Sequence, residues 1–162
     1  MTMEERLISH PELVLGVDPG LSGAAWLLGK GFFDGCRQFK TLPNLALSIQ
    51  KLVAGKVINH TIFEFVHALP GQGVSSMFSF GKATGVALGT LVSCGLTIEE
   101  VAPQKWQNFF RTLLGIPKGT PFDSRSIAAQ LLPTKAPPFL LRKLDHNSAD
   151  AMLMAAWKIL SV

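Results

Sequence analysis

A chain of 162 residues with 48% hydrophobic and 16% charged residues can bury a core of its own, which excludes a disordered or fibrous protein and suggests a single domain. No apolar run reaches the roughly 18 to 20 residues of a membrane span, the opening MTMEERLISHPE is too polar for a signal peptide, and Cys36 and Cys94 stand apart from each other and from ligand-spaced partners, so an intracellular protein with neither disulfide framework nor zinc site is expected. The net charge of +4 permits a polyanionic partner, and its distribution says more: between Pro103 and Lys143 stand seven basic residues (Lys105, Arg111, Lys118, Arg125, Lys135, Arg142, Lys143) and one acid, Asp123, a run that equally describes a solvated basic surface.

In chain order, the first twelve residues are expected to form a flexible extension. Glu12 to Val17 is short, apolar and halted by Asp18-Pro19-Gly20, which predicts a buried strand, with Gly23 to Leu28 as its hairpin partner. Gly31 to Thr41 is a weaker third strand, and Asn44 to Val53 has helical spacing with Asn44 as N-cap. Val57 to Val66, β-branched and aromatic, predicts a central strand followed by a loop from Leu69 to Gly73. Ser75 to Cys94 carries glycines at 81, 85 and 89, which suggests a helix packed very close to a neighbour, since each glycine otherwise weakens a helix by about 1 kcal/mol. Leu96 to Val101 reads as a further strand, followed by helices near Gln104 to Leu114, Asp123 to Leu132 and His146 to Leu160, with a rigid proline loop from Pro133 to Pro138. Strands alternating with helices after an opening meander predict a mixed α/β sheet covered by helices.

Acids stand in three places that ordinary folding avoids. Asp18 ends the first strand, where it either shapes the turn or acts chemically. Glu64 lies within FEFV, where an ionised carboxylate bears a large desolvation cost unless it is paired or binds a metal. Asp145, His146 and Asp150 surround the start of the last helix; His146 and Asp150 share a face, whereas Asp145 serves either as N-cap or as ligand. Clustered hard oxygen donors suit Mg²⁺ or Mn²⁺, and two such ions support phosphodiester hydrolysis. His146 can ligate the softer of these metals or move a proton at the attacked phosphate.

The segments LGVDPGLSGAAW, FEFVHALPGQGVSSMFSFGKATGVALG, VAPQKWQ and DHNSADAMLMAAW occur in the order found in RuvC Holliday junction resolvases, and the chain resembles most the branch with phage-encoded and chloroplast members. The resemblance, from Leu13 to Ile159, implies a ribonuclease H-like fold, a homodimer, two divalent cations per site and paired symmetric nicks in a four-way DNA junction. It also implies the cytoplasm of a bacterial or phage-infected cell, or an organelle. By position it makes Asp18, Glu64, His146 and Asp150 the catalytic and metal-binding set, with Asp145 and Asn147 as rivals for the penultimate position, because His146 and Asp150 are four apart where bacterial relatives have three. It places Gln72, Ser75, Ser76, Met77, Phe78 and Lys82 where the family reaches into the junction, and Met77, Phe78 and Phe80 are candidates for a base-stacking wedge or for core. Lys105, Lys118, Ser124, Arg125 and Lys143 are the remaining DNA-binding candidates. Nucleases of the same fold acting on other branched DNA or RNA:DNA hybrids, and a junction-binding module without catalysis, are the alternatives. A kinase-like or actin-like ATPase is excluded by length.

Overall fold

The computed structural model describes residues 1–68 and 70–161 and is organised around one sheet. Strands β1 (Val14–Asp18), β2 (Ala24–Gly29), β3 (Phe32–Arg37), β4 (His60–Glu64) and β5 (Ile98–Val101) are ordered β3-β2-β1-β4-β5. The first three form an antiparallel meander, whereas β4 lies parallel to β1 and β5 parallel to β4. Helices α1 (Met3–Ile8), α2 (Leu42–Val53), α3 (Val74–Ser93), α4 (Pro103–Leu114), α5 (Ser124–Leu131) and α6 (His146–Leu160) flank it. Because successive strand residues face opposite sides, β1 serves two cores. Val14 joins Trp26, Ile62 and the apolar stripe of α6, while Leu15 and Val17 join Phe63 and the buried faces of α2 and α3. A strand buried on both faces must read as a continuous apolar run, as LGV and AAWLL do.

The predicted α/β architecture is present, with several differences. The strand predicted over 57–66 ends at Glu64, so that acid terminates β4, and Phe65 beyond it is 46% exposed. Helix α2 starts two residues early because the Thr41 hydroxyl accepts from the Asn44 backbone N–H, which makes Thr41 the N-cap and leaves Asn44 inside the first turn. Glycines 81, 85 and 89 have no neighbour within 4 Å of where a Cβ would stand, so the close packing predicted for them is not made within this chain. Residues 3–8 are not a loose extension. Thr2 and Glu5 form a reciprocal capping box, Leu7 is fully buried, and Glu4 accepts from both the backbone N–H and the hydroxyl of Thr134. The proline stretch is only partly irregular, since Pro137–Phe139 forms a 3-10 turn. In the predicted loop 69–73, Leu69 lies outside the described residues.

The contact that positions the last helix is at Gly16. A Cβ there would stand 2.0 Å from the carbonyl oxygen of Ala151, so α6 rests on the bare backbone of β1. Gly16→Ala should therefore destabilise the fold by about 3 kcal/mol, seen as a lower urea midpoint, because the obstacle is backbone and cannot rotate away. An unchanged midpoint would show that α6 can lift off β1 freely.

Candidate active site

Strand alternation brings the acids together. Val14, Gly16 and Asp18 share one face of β1, Ile62 and Glu64 share the corresponding face of β4, and the register pairs Val17 with Phe63, so Asp18 and Glu64 follow side by side at the carboxyl ends of parallel strands. This is the face that α6 covers, and Asp150 precedes the Ala151 that touches Gly16. Asp18, Glu64, His146 and Asp150 line one cavity of about 480 Å³, walled on its other side by Ser79, Phe80 and Ala83 of α3. Phe80 is held against the backbone of Gly20, a glycine with φ of +121° where a side chain would be both strained and crowded.

The cavity concentrates unbalanced negative charge. Burial, then the charges of Glu64 and Asp150, raise the Asp18 carboxyl well above its ordinary range. Burial and then the Asp150 charge lift Glu64 to about 7, with Asp18 acting weakly in the opposite direction. Asp150 is raised chiefly by burial, opposed by a hydrogen bond donated by the Ser124 hydroxyl and by the nearby His146. The His146 ring donates from Nδ1 to the Lys143 carbonyl at 3.0 Å, which leaves Nε2 of the neutral ring as an acceptor. Asn147 also lines the cavity, and its amide donates to the Ser22 carbonyl at 2.7 Å, tying α6 to the β1–β2 turn.

Of the predicted catalytic residues, only Asp145 is held apart. Its side chain, 1% exposed, accepts from the Arg142 backbone N–H at 2.8 Å, from the Arg142 guanidinium at 3.0 Å and from Arg37 at 2.8 Å. Burial pushes this carboxyl upward, but the Arg142 N–H, the Arg142 guanidinium and Arg37 together outweigh it and hold it below the ordinary range. It occupies the N-cap position of α6, as one of the two predicted readings has it, but its side chain makes no capping hydrogen bond to that helix. Asp145→Ala should cost about 2 kcal/mol in urea denaturation, because two cations and an N–H lose their acceptor, with Mn²⁺ affinity little changed. Lost Mn²⁺ affinity at unchanged stability would return Asp145 to the ligand set.

The predicted DNA-binding residues fall into four places. On α3 and the loop before it, Gln72, Ser75 and Ser76 are exposed, Met77 is half-buried beside a smaller cavity, and Phe78 is 68% exposed with the Lys82 ammonium 5.1 Å from its ring centroid. Arg125 and Lys143 line a second depression of about 440 Å³ that shares His146 and Asp150 with the first. Lys118 is exposed on the loop before α5. Lys105 sits apart, over Trp157 near the far end of α6. Ser124 is buried against Asp150 and orients an acid; the sequence signals the helix start at Asp123 but not that α5 docks on α6. Arg37, on the edge strand β3, carries no sequence signal linking it to Asp145.

Among the described residues no three His, Cys, Asp or Glu side chains are already drawn closely enough to hold one ion. The donor set nevertheless fits a hard divalent cation: three carboxylates share one cavity, and Ser124 supplies only Asp150 with a neutral donor. A cation there competes with the protons that burial and mutual repulsion favour on Asp18 and Glu64.

No family model matches the chain. It is 28% identical to the crossover junction endodeoxyribonuclease RuvC of Nitrobacter hamburgensis over 158 residues, covering 90% of this chain and 85% of that protein. It is 32% identical over 91 residues to the chloroplastic Holliday junction resolvase MOC1 of Chlamydomonas reinhardtii, covering 56% of this chain and 10% of that protein. The structure of Thermus thermophilus RuvC in complex with a Holliday junction substrate superposes with a TM-score of 0.62 at 12% identity, over 90% of this chain and 91% of that one. A second Thermus thermophilus RuvC structure gives 0.59 at 16% identity, over 90% and 92%. The chain resembles RuvC over nearly its whole length and has its ribonuclease H-like fold.

Proposed function

We propose that this RuvC-like chain is an endodeoxyribonuclease that resolves four-way DNA junctions by metal-dependent hydrolysis of phosphodiesters. The observation that carries the reading is the meeting of Asp18, Glu64 and Asp150 in one cavity whose neighbouring depression is flanked by Arg125 and Lys143. Carboxylates to hold cations beside cations to hold phosphates are what hydrolysis of a polyanion requires. Asp18, Glu64 and Asp150 would hold Mg²⁺ or Mn²⁺, two per site, which leaves the free Nε2 of His146 for proton transfer. When bound, the ions polarise the phosphoryl oxygens and lower the pKa of an attacking water. Ser124 orients Asp150, and the Lys143 carbonyl fixes the His146 ring so that Nε2 can take a proton as the water oxygen bonds to phosphorus and the bond to the leaving sugar oxygen breaks. Arg125 and Lys143 anchor the strand by its phosphates. The two curated relatives are a bacterial and a chloroplastic protein, so we place this activity in a DNA-holding compartment: the cytoplasm of a bacterial or phage-infected cell, or an organelle.

Paired nicks need two sites at fixed spacing, and a homodimer through α3 supplies them. Its exposed Gly81, Gly85 and Gly89, with Val92 60% exposed beyond them, offer a smooth face on which a second copy can come close. Gly85→Leu should shift the sedimenting species to monomer and uncouple the two nicks; a dimer with coordinated nicks would remove α3 from the interface. The main test compares a synthetic four-way junction with linear duplex, flap and RNA:DNA hybrid, each with Mg²⁺, Mn²⁺ or EDTA. Symmetric nicks confined to the junction and to metal are expected; preferential cutting of another substrate would replace the function while keeping the site.

A further inference from the structure

The two leucines of the turn from Leu141 to Leu144 have not entered the chemistry, and the turn combines features that folding alone does not explain. Leu141 is 80% exposed and Leu144 is 58% exposed, yet between them lie Arg142 and Lys143. Exposed leucines on a mobile loop ordinarily collapse onto the nearest apolar surface, since each gains about 1.5 to 3 kcal/mol by full burial. Here the turn is held from beneath. The Arg142 N–H donates to the buried Asp145, the Arg142 carbonyl accepts from the Arg125 guanidinium at 3.0 Å, and the Lys143 carbonyl accepts from His146. Residues Lys143–Asp145 form a 3-10 turn. The two leucines are therefore presented on a stiff support, at the rim of the depression that Lys143 shares with His146 and Asp150.

We propose that this turn is a second DNA-contacting element, in which Leu141 and Leu144 wedge against or between base steps while Lys143 holds a flanking phosphate and the exposed edge of Arg142, beyond its pair with Asp145, faces the same backbone. The inference rests on the nuclease reading above and adds to it a contact at the turn that leads into α6. Charge complementarity selects the occupant: an apolar partner protein would have to desolvate two cations set beside the leucines, whereas a duplex supplies phosphates for the cations and base faces for the leucines. Partial unstacking of a step costs a few kcal/mol, and a preorganised wedge does not add its own ordering cost.

The test uses the full chain in EDTA with four-way junctions carrying 2-aminopurine at successive positions near the crossover. Binding by the wild type should raise the probe fluorescence. In a Phe78→Ser background part of that rise should remain, and adding Leu141→Ser with Leu144→Ser should remove it and weaken binding by about tenfold at every salt concentration, as expected for an apolar contact. Leu141→Met with Leu144→Met should restore both. Lys143→Gln should instead reduce the salt slope by about one, for the phosphate contact of the cation that has no acid partner among the described residues, with Arg142 left in its pair with Asp145. Fluorescence and affinity unaffected by the leucine-to-serine changes would overturn the wedge, as would a change confined to the sedimenting species, which would make the turn a contact between copies. A wild type that binds no branched DNA would overturn the nuclease reading itself, and the wedge with it.

Discussion

Glu64→Gln should lower single-turnover cleavage of a four-way junction by about three orders of magnitude, while binding of the same junction in EDTA stays as tight as wild type or tightens. Glutamine keeps the shape of the side chain and loses the charge. In the ligand role proposed for Glu64, that charge helps to hold cations against the repulsion of Asp18 and Asp150, and without it the remaining two carboxylates make a weaker site. DNA binding falls to Arg125, Lys143 and the other basic residues, and one acid fewer in the cavity brings the incoming phosphate less repulsion. The same substitution should make the metal-free protein more stable near pH 8, because it removes a buried charge crowded by two others. Activity and stability thus move in opposite directions. Asp18→Asn and Asp150→Asn should behave alike; full cleavage by any one of the three would remove that residue from the ligand set.

Much of this site is legible in the chain because strand alternation and helical spacing are local. The apolar run ending at Asp18 and the stripe through His146, Asp150, Leu153 and Trp157 place acids on elements without knowledge of the fold. What is not legible depends on contacts between distant residues. FEFV suggests a glutamate inside a strand, but β4 ends at Glu64, and the acid is desolvated by the cavity, with Phe65 46% exposed beyond it. Asp145 is interchangeable with its neighbours as a candidate ligand until Arg37, 108 residues away, is seen to hold it. Ser124 carries the signature of a helix start and is converted into a support for Asp150 only by the docking of α5 on α6. The Gly81, Gly85 and Gly89 spacing suggests a close neighbour, but among the described residues none stands against these glycines, and pattern alone cannot distinguish a packed face from an open one. The capping box at Thr2 and Glu5 is present in the sequence and is masked by the polar composition around it.

Metal-free protein should lose stability as pH rises from about 4.5 through about 7, and Mn²⁺ should reverse the trend. The sign follows from Glu64, whose folded value of about 7 lies above the ordinary glutamate value of 4.5. An acid raised by folding favours the folded state while protonated, so its contribution is complete below about 4.5 and disappears as the pH passes the folded value. Asp18 and Asp150 are shifted the same way and deepen the loss. Asp145 runs oppositely, since its carboxyl is lowered; its stabilisation is present above about 3.8 and is lost in more acidic solution, below the range of interest. A cation binds the ionised carboxylates and competes with protons, so the melting temperature should rise more on adding Mn²⁺ at pH 8 than at pH 5.5. In Glu64→Gln both the fall with pH and the gain from Mn²⁺ should shrink, because the titrating group and one proposed ligand are the same residue. Scanning calorimetry of the two proteins at the two pH values, with Mn²⁺ and with EDTA, decides it. A metal-induced gain as large in the variant as in the wild type would place the ions away from Glu64, and equal gains at both pH values would show that binding does not compete with protons at these carboxylates.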